Sequence, residues 1–466
     1  MSGTRVRMLS AILVFSVMTL TSAVIPAAVG IGDADAAATT GGSSPMKSGA
    51  YPYRDFATVV ATLEQTAADH PDIARMVDIG DGWEKTAGVA DRDIWAMRIT
   101  DNPDVDEGEP DALFMARQHA DEATPTEIAL QLIENLTDDY GSDTRTSWLV
   151  DNRDIWIIPV MNPDGMDYYM STGEIWRKNR HLNYDGSYGV DLNRNYNGSE
   201  NGDPLGVWSV GASLDPSAWD YCGEYAFSEP ETQALRDLAL EQKFEVAADF
   251  HMSGDAICWP WGYTTNVTPD DDELVHIAFE MSLLNGYWTL QSYQAGMLAG
   301  DSVDWLYGGT DAYSFLFEIG GWLDVWQMEN EYNNVLQQIA ENIPPAMLLI
   351  EIAGDRSEAM FKIDTHELDD SASTEEGFEV SARITADRGT DQATQLLRYR
   401  VDGGDWVEME MEADTAMGAY TAFIPSQASG STIDYYIVAH DNGGVELMAP
   451  QYAPYEVYSF QVLPTG

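Results

Sequence analysis

The chain has 466 residues, 44% of them hydrophobic and 14 of them Trp, enough to bury the cores of two or three domains. Its 78 acidic and 23 basic residues give a formal charge of −55, which argues against nucleic acid or an anionic membrane as a partner. Self-repulsion at that charge predicts a saline environment, where counterions screen the surface.

The first element is a secretory signal in form: Arg5 and Arg7, an apolar stretch from Met8 to about Ile25, then small residues with cleavage points near Ala23, Ala28 and Ala38. Secretion to the outside or to the cell surface follows. The alternative is an uncleaved anchor, since the stretch is nearly long enough to span a bilayer. Residues 1–38 are assigned to the signal and 39–49 to a Gly/Ser linker. The only two cysteines, Cys222 and Cys258, exclude a disulfide framework and leave their own pairing open. Sequons at Asn135, Asn197 and Asn266 permit glycosylation.

Globular patterning begins at Tyr51. Phe56, Val59, Val60 and Leu63 fall on one helical face, and strand-like runs follow at Met76–Ile79 and Ile94–Ile99. The acidic run Asp101–Asp111 reads as a solvated loop, with a calcium loop as the sharper alternative. Ala112–Ala116 is a short buried strand, and it runs into His119 and Glu122, a nitrogen and an oxygen donor three residues apart. Thr124-Pro125-Thr126-Glu127 then reads as a capping box opening a helix to about Leu136. By itself, His-x-x-Glu is a common surface turn.

Later strands repeat that arrangement. Ile155–Pro159 ends at the turn signal Asn162-Pro-Asp-Gly165, Phe244–Phe250 ends at His251, and Tyr313–Phe317 ends at Glu318. Helical patterns at 124–136, 229–242, 270–285 and 328–353 alternate with them, which predicts an α/β fold with a mixed, mostly parallel sheet flanked by helices. Residues 50–353 are assigned to this domain. From 357 to 466 the pattern changes to short runs separated by Gly, Asp and Asn turns: Phe378–Ile384, Leu396–Val401, Trp406–Met411, Ala419–Ile424 and Ile433–Ala439. These predict a small β-sandwich, similar to the immunoglobulin-like or fibronectin-like modules of secreted enzymes.

A catalytic zinc takes three protein ligands and leaves one position for water. His119, Glu122 and His251 offer that set, with Glu318 as an unligated carboxylate to take a proton from zinc-bound water. Between them lie Trp176-Arg-Lys-Asn-Arg180 and Gly189-Val-Asp-Leu-Asn-Arg-Asn195. Arg177 and Arg194, beside Asn193, suit a grip on a carboxylate and stabilisation of an oxyanion, or else ion pairs with the acidic surface.

Those motifs resemble the zinc carboxypeptidases of the A/B and T types. Phe-Ser-Glu-Pro-Glu-Thr at 227–232, Pro-Trp-Gly-Tyr-Thr at 260–264, Tyr-Gln-Ala-Gly at 293–296, Gly-Asp-Ser-Val-Asp-Trp at 300–305 and Tyr-Ser-Phe-x-Phe-Glu at 313–318 extend the likeness from Tyr51 to about Ala353. The His₂Glu set is the known zinc site of carboxypeptidase A, and the resemblance carries it to His119, Glu122 and His251, one Zn²⁺ per catalytic domain. It further implies Glu318 as general base and Arg177 as oxyanion partner. Asn193, Arg194 and Tyr293 would hold the substrate's terminal carboxylate, Tyr293 as a closing cap. The implied substrates are peptides and proteins with a free C-terminus, cleaved by a monomer.

By position, Cys258, Gly262, Tyr293, Asp301 and Val303 approach the pocket for the terminal side chain. Val303 points to neutral or apolar residues and Asp301 admits basic ones, so broad, hydrophobic-leaning specificity is expected. Two positions depart from the family pattern: Asp121 stands where the first motif often has Arg, and Cys222 replaces a His. The first puts upstream substrate recognition in doubt. Competing readings are a cell-wall peptide hydrolase and a zinc-bearing binding protein without catalysis, which should lack a carboxylate such as Glu318.

Overall fold

The computed structural model describes residues 52–198, 207–321 and 332–354, and 361–464 apart from 373–376, 387–388, 391–392, 415–418, 441, 443–445 and 451–452. The signal and linker assignments, Tyr51 and the helical start at 328–331 lie outside the described residues. Among the described residues, no helix is long and apolar enough to cross a membrane.

The strands β1 (Ala74–Asp81), β2 (Asp93–Ile99), β3 (Asp111–Ala116), β4 (Asp154–Ile158), β5 (Val246–His251), β6 (Ala256–Trp259), β7 (Trp288–Gln291) and β8 (Tyr313–Glu318) form one sheet in the order β1-β2-β4-β3-β5-β8-β6-β7. Its centre, β4-β3-β5-β8, is parallel. The edges are mixed: β1, β2 and β4 pair antiparallel, as do β8 and β6. Strand alternation divides the core into two layers. Phe114, Ile157, Ala248 and Phe317 point to the side covered by α1 (Phe56–Asp69), α3 (Thr124–Asp138), α7 (Asp271–Asn285) and a helix α9 (Tyr332–Ile352). Leu113, Met115, Trp156 and Ala247 point to the other, under α6 (Pro230–Gln242) and α8 (Ser302–Thr310). Burial on both faces is why the central strands read as unbroken apolar runs.

Two helix starts differ from expectation. The Asn162-Pro-Asp-Gly165 signal opens a helix, α5 (Pro163–Thr172), because Asn162 caps it by accepting from Gly165 N at 2.9 Å and Pro163 takes the first turn. At α3 no side chain caps the start, and Thr124 lies within the helix. Tertiary partners take both groups of the expected capping box: Tyr53 Oη lies 2.9 Å from Thr124 Oγ1, and the Glu127 carboxylate accepts from Arg54 N and Nη1. Two short helices remain, α2 (Trp83–Thr86) and α4 (Thr144–Asn152), the latter capped by Asp143.

The acidic segment 101–111 wraps a cation of the protein's own. Arg98 donates to Asp154 and to the carbonyls of Pro103 and Val105, at 2.5–3.0 Å. This leaves the calcium reading without support.

Beyond residue 360, β9 (Phe361–Thr365), β11 (Phe378–Ala386), β14 (Glu412–Asp414) and β15 (Ala419–Ile424) form a four-stranded sheet. A second sheet holds β10 (Ser371–Ala372), β12 (Leu396–Val401), β13 (Val407–Glu410), β16 (Thr432–His440), β17 (Glu446–Ala449) and β18 (Tyr458–Leu463). Val380 and Ile424 of the first sheet share one buried cluster with Leu397, Ile437 and Phe460 of the second, as in a sandwich.

Candidate active site

Three parallel strands end together. His119 and Glu122 lie in the turn after β3, while His251 and Glu318 close β5 and β8 and face each other in register. That turn is held from beneath by Arg117, fully buried at φ +57°, which donates Nε and Nη2 to Ala120 O at 3.1 and 2.9 Å. Ala120 N in turn donates to Arg177 O, so the turn and the Arg177 segment are fixed to each other. Gly189, at φ +89°, packs so closely on that segment that a Cβ would lie 2.6 Å from Lys178 Cβ.

The donors converge. His119 Nδ1 is 2.6 Å from Glu122 Oε1, and His251 Nδ1 is 2.9 Å from Glu122 Oε2 and 3.0 Å from His119 Nδ1. All three residues are buried and offer ligand atoms within 4.8 Å of one another, the one such group among the described residues. Two imidazole nitrogens and a carboxylate form the donor set of a catalytic zinc centre, so these residues fit that metal. Burial pushes the Glu122 carboxyl up, but the adjacent His119 and His251 outweigh it and hold it well below the usual range. Glu318 is raised to about 7, first by burial and then by the Glu122 charge.

The outer nitrogens are also engaged. His119 Nε2 lies 3.1 Å from Asp191 Oδ1, and Arg177 Nε donates to Asp191 Oδ2 at 2.8 Å. Burial opposes ionisation of Asp191, yet Arg177, His119 and Arg194 hold its pKa well below normal. His251 Nε2 lies 2.9 Å from Asp249 Oδ2 and 3.2 Å from Asn193 Nδ2. Sequence reasoning missed Arg117, Asp191, Asp249 and Ser302. Asp191 sits inside a motif already singled out, and Asp249 precedes His251 by two residues on one strand face; those were the available signals.

A cavity of about 340 Å³ opens from this cluster. His119, Glu122, His251, Arg177 and Glu318 line one end, and Asn193, Arg194, Cys258 and Asp301 continue the wall with Leu298 and Leu316. The sequence-derived residues thus meet in one place, except three. Val303 is buried in the first turn of α8, Tyr293 is partly exposed in a single helical turn after β7, and Gly262 is buried with its N–H turned to Asp304; none forms part of this wall. Cys222 and Cys258 are both free and buried. Asp301 Oδ1 caps α8 by accepting from Asp304 N, whereas Asp301 Oδ2 and Arg194 Nε are buried without a hydrogen-bond partner among the described residues.

Comparison with known proteins agrees with this geometry, because the family model described as zinc carboxypeptidase matches residues 59–338. The chain belongs to the zinc carboxypeptidase family. It is 35% identical over 286 residues to a zinc carboxypeptidase of Saccharothrix mutabilis subsp. capreolus, covering 60% of this chain and 64% of that protein. It is 28% identical to bovine carboxypeptidase A1 over 278 residues, covering 57% and 62%. The chain therefore spans less than two thirds of the length of either relative. Among solved structures, thrombin activatable fibrinolysis inhibitor superposes with a TM-score of 0.56 at 25% identity, covering 65% of this chain and 73% of that one.

Proposed function

We propose that this zinc carboxypeptidase family member is a secreted metallo-exopeptidase, hydrolysing the C-terminal peptide bond of peptides and proteins. The observation that carries the reading is the convergence of His119, Glu122 and His251 beside Glu318, at one end of a cavity whose wall also holds Asn193 and Arg194. Residues 50–353 are the catalytic domain and 357–466 an accessory sandwich; the Arg-led apolar N-terminus supports export.

When bound, zinc supplies a Lewis acid that acidifies water and polarises the scissile carbonyl. Glu318, raised toward neutrality, accepts a proton from the attacking water and returns it to the departing amine. Arg177, anchored by Asp191, turns its guanidinium to the charge developing on the carbonyl oxygen. Asn193 and Arg194 bind the terminal carboxylate, an interaction that an internal peptide bond cannot offer.

The wall of the terminal-residue pocket supports mixed specificity. Leu298, Leu316 and Cys258 favour apolar side chains, and the unpartnered Asp301 Oδ2 accepts a Lys or Arg. The presence of Glu318 argues against an inactive binding protein.

Glu318→Gln tests the assignment. Zinc uptake should persist while kcat falls by about 10²–10⁴-fold, and the acid limb of the wild-type pH profile, expected at or below about pH 7, should disappear. The direction follows from the role: a base protonated below its pKa cannot accept a proton. Near-wild-type turnover in Glu318→Gln would reject Glu318 as the base.

A further inference from the structure

The geometry points to Asp249 as a positioning residue that sets how His251 presents Nδ1 to the metal and ties the metal end of the cavity to the substrate wall. This inference rests on the metal reading above. Asp249 and His251 lie two apart on β5, so both leave the same face of the strand, and both are about 1% exposed. Three elements load their polar groups onto one oxygen of Asp249. His251 Nε2 is 2.9 Å from Oδ2, Ser302 Oγ at the start of α8 donates to it at 2.6 Å, and Gln118 Nε2 donates from the turn that carries His119.

An imidazole that holds a metal through Nδ1 carries its remaining proton on Nε2, and Asp249 Oδ2 is the acceptor placed to receive it. With that proton in place, His251 Nε2 cannot accept from Asn193 Nδ2, 3.2 Å away. The Asn193 amide nitrogen is left to face the cavity, while its Oδ1 is held by Ser302 N at 2.8 Å. Ser302 thus grips both sides: its hydroxyl holds Asp249 and its backbone N–H holds Asn193. One buried carboxylate fixes the metal ligand's tautomer and, through Ser302, shares a support with the residue proposed to bind the substrate carboxylate. In Asp249→Asn an amide must go somewhere. Turned toward His251 it sets a donor against a donor; turned away it takes the place of Oδ1, which has no partner among the described residues.

The test is zinc affinity of the full chain by competition with a chromophoric chelator at fixed pH and salt, with cobalt substitution as a second readout. Asp249→Asn should bind zinc about 10–100-fold more weakly. The d–d bands of its cobalt form should shift, and the metal-free protein should melt somewhat lower, because the misplaced amide is present with or without metal. A residue that only supports the fold would lower the metal-free melting temperature while leaving the cobalt bands and the zinc affinity of the folded protein in place. Ser302→Ala, which keeps the Asp249 charge but removes one donor, should weaken zinc by about three- to fivefold, and it decides the matter if Asp249→Asn does not fold. Zinc binding within twofold of wild type in the folded variants, with unshifted cobalt bands, overturns the inference. A wild-type chain that takes up no zinc would overturn the metal reading along with it.

Discussion

The two ends of the cavity are built on different terms. At the metal end both oxygens of Glu122 and both oxygens of Asp191 are within hydrogen-bond distance of a partner. At the other end Asp301 Oδ2 and Arg194 Nε are buried with none among the described residues. Buried polar groups are normally paired; Asp249 Oδ1 behind His251 is a further exception, but Asp301 and Arg194 line the cavity, where a bound substrate would pair them. In the proposed reading the metal end is prepared before substrate arrives. The pocket end bears a desolvation cost that a substrate's own charges would relieve.

The contrast predicts opposite responses to removing a carboxylate. Asp191→Asn at the metal end should have the larger effect, because it breaks the bridge between His119 and Arg177. Metal affinity or kcat/KM should fall about 10–100-fold, measured by chelator competition and steady-state kinetics. Values within twofold of wild type would show that the bridge is dispensable.

Asp301→Asn at the pocket end should instead stabilise the protein, by roughly 1 kcal/mol at neutral pH, because it removes a buried charge set against Asp304, whose carboxylate is beside the new amide, while the amide oxygen keeps the cap on α8. Burial raises the Asp301 pKa above the ordinary value of 3.8, so the folded state holds this proton more tightly than the unfolded chain does. The wild-type penalty is therefore absent below about pH 3.8 and grows as pH rises through the folded-state pKa. Denaturant titrations should show the gain at pH 7 vanishing toward pH 4. The same variant should lose about tenfold in kcat/KM on peptides ending in Lys or Arg, with little change on those ending in Leu or Phe. A uniform loss across all substrates would place Asp301 outside the specificity pocket.

What the sequence displayed, and what it hid, follows the range of the interactions. His119, Glu122, His251 and Glu318 were legible because each follows or closes an apolar strand, and strand ends of a parallel sheet gather at one edge. The sandwich was legible from its turns, although β10 and β14, with two and three residues, carry too little pattern to find. The four-residue strands β6 and β7 were hidden for the same reason. The capping box at Thr124 failed because Tyr53 and Arg54, some 70 residues away, compete for its side chains. Asp191 and Asp249 are plain acids in a chain with 78 of them, and only folding shows which two reach the outer nitrogens of the histidines.

One cavity is proposed to join a metal centre to a grip on a free carboxylate. The measurement that separates this from other metal sites uses a pair of N-blocked peptides, identical except that one ends in a free carboxylate and the other in an amide. Hydrolysis should be confined to the first, vanish with chelator and return with added zinc. Equal cleavage of the amidated peptide, or turnover indifferent to chelation, would rule out such a joined site.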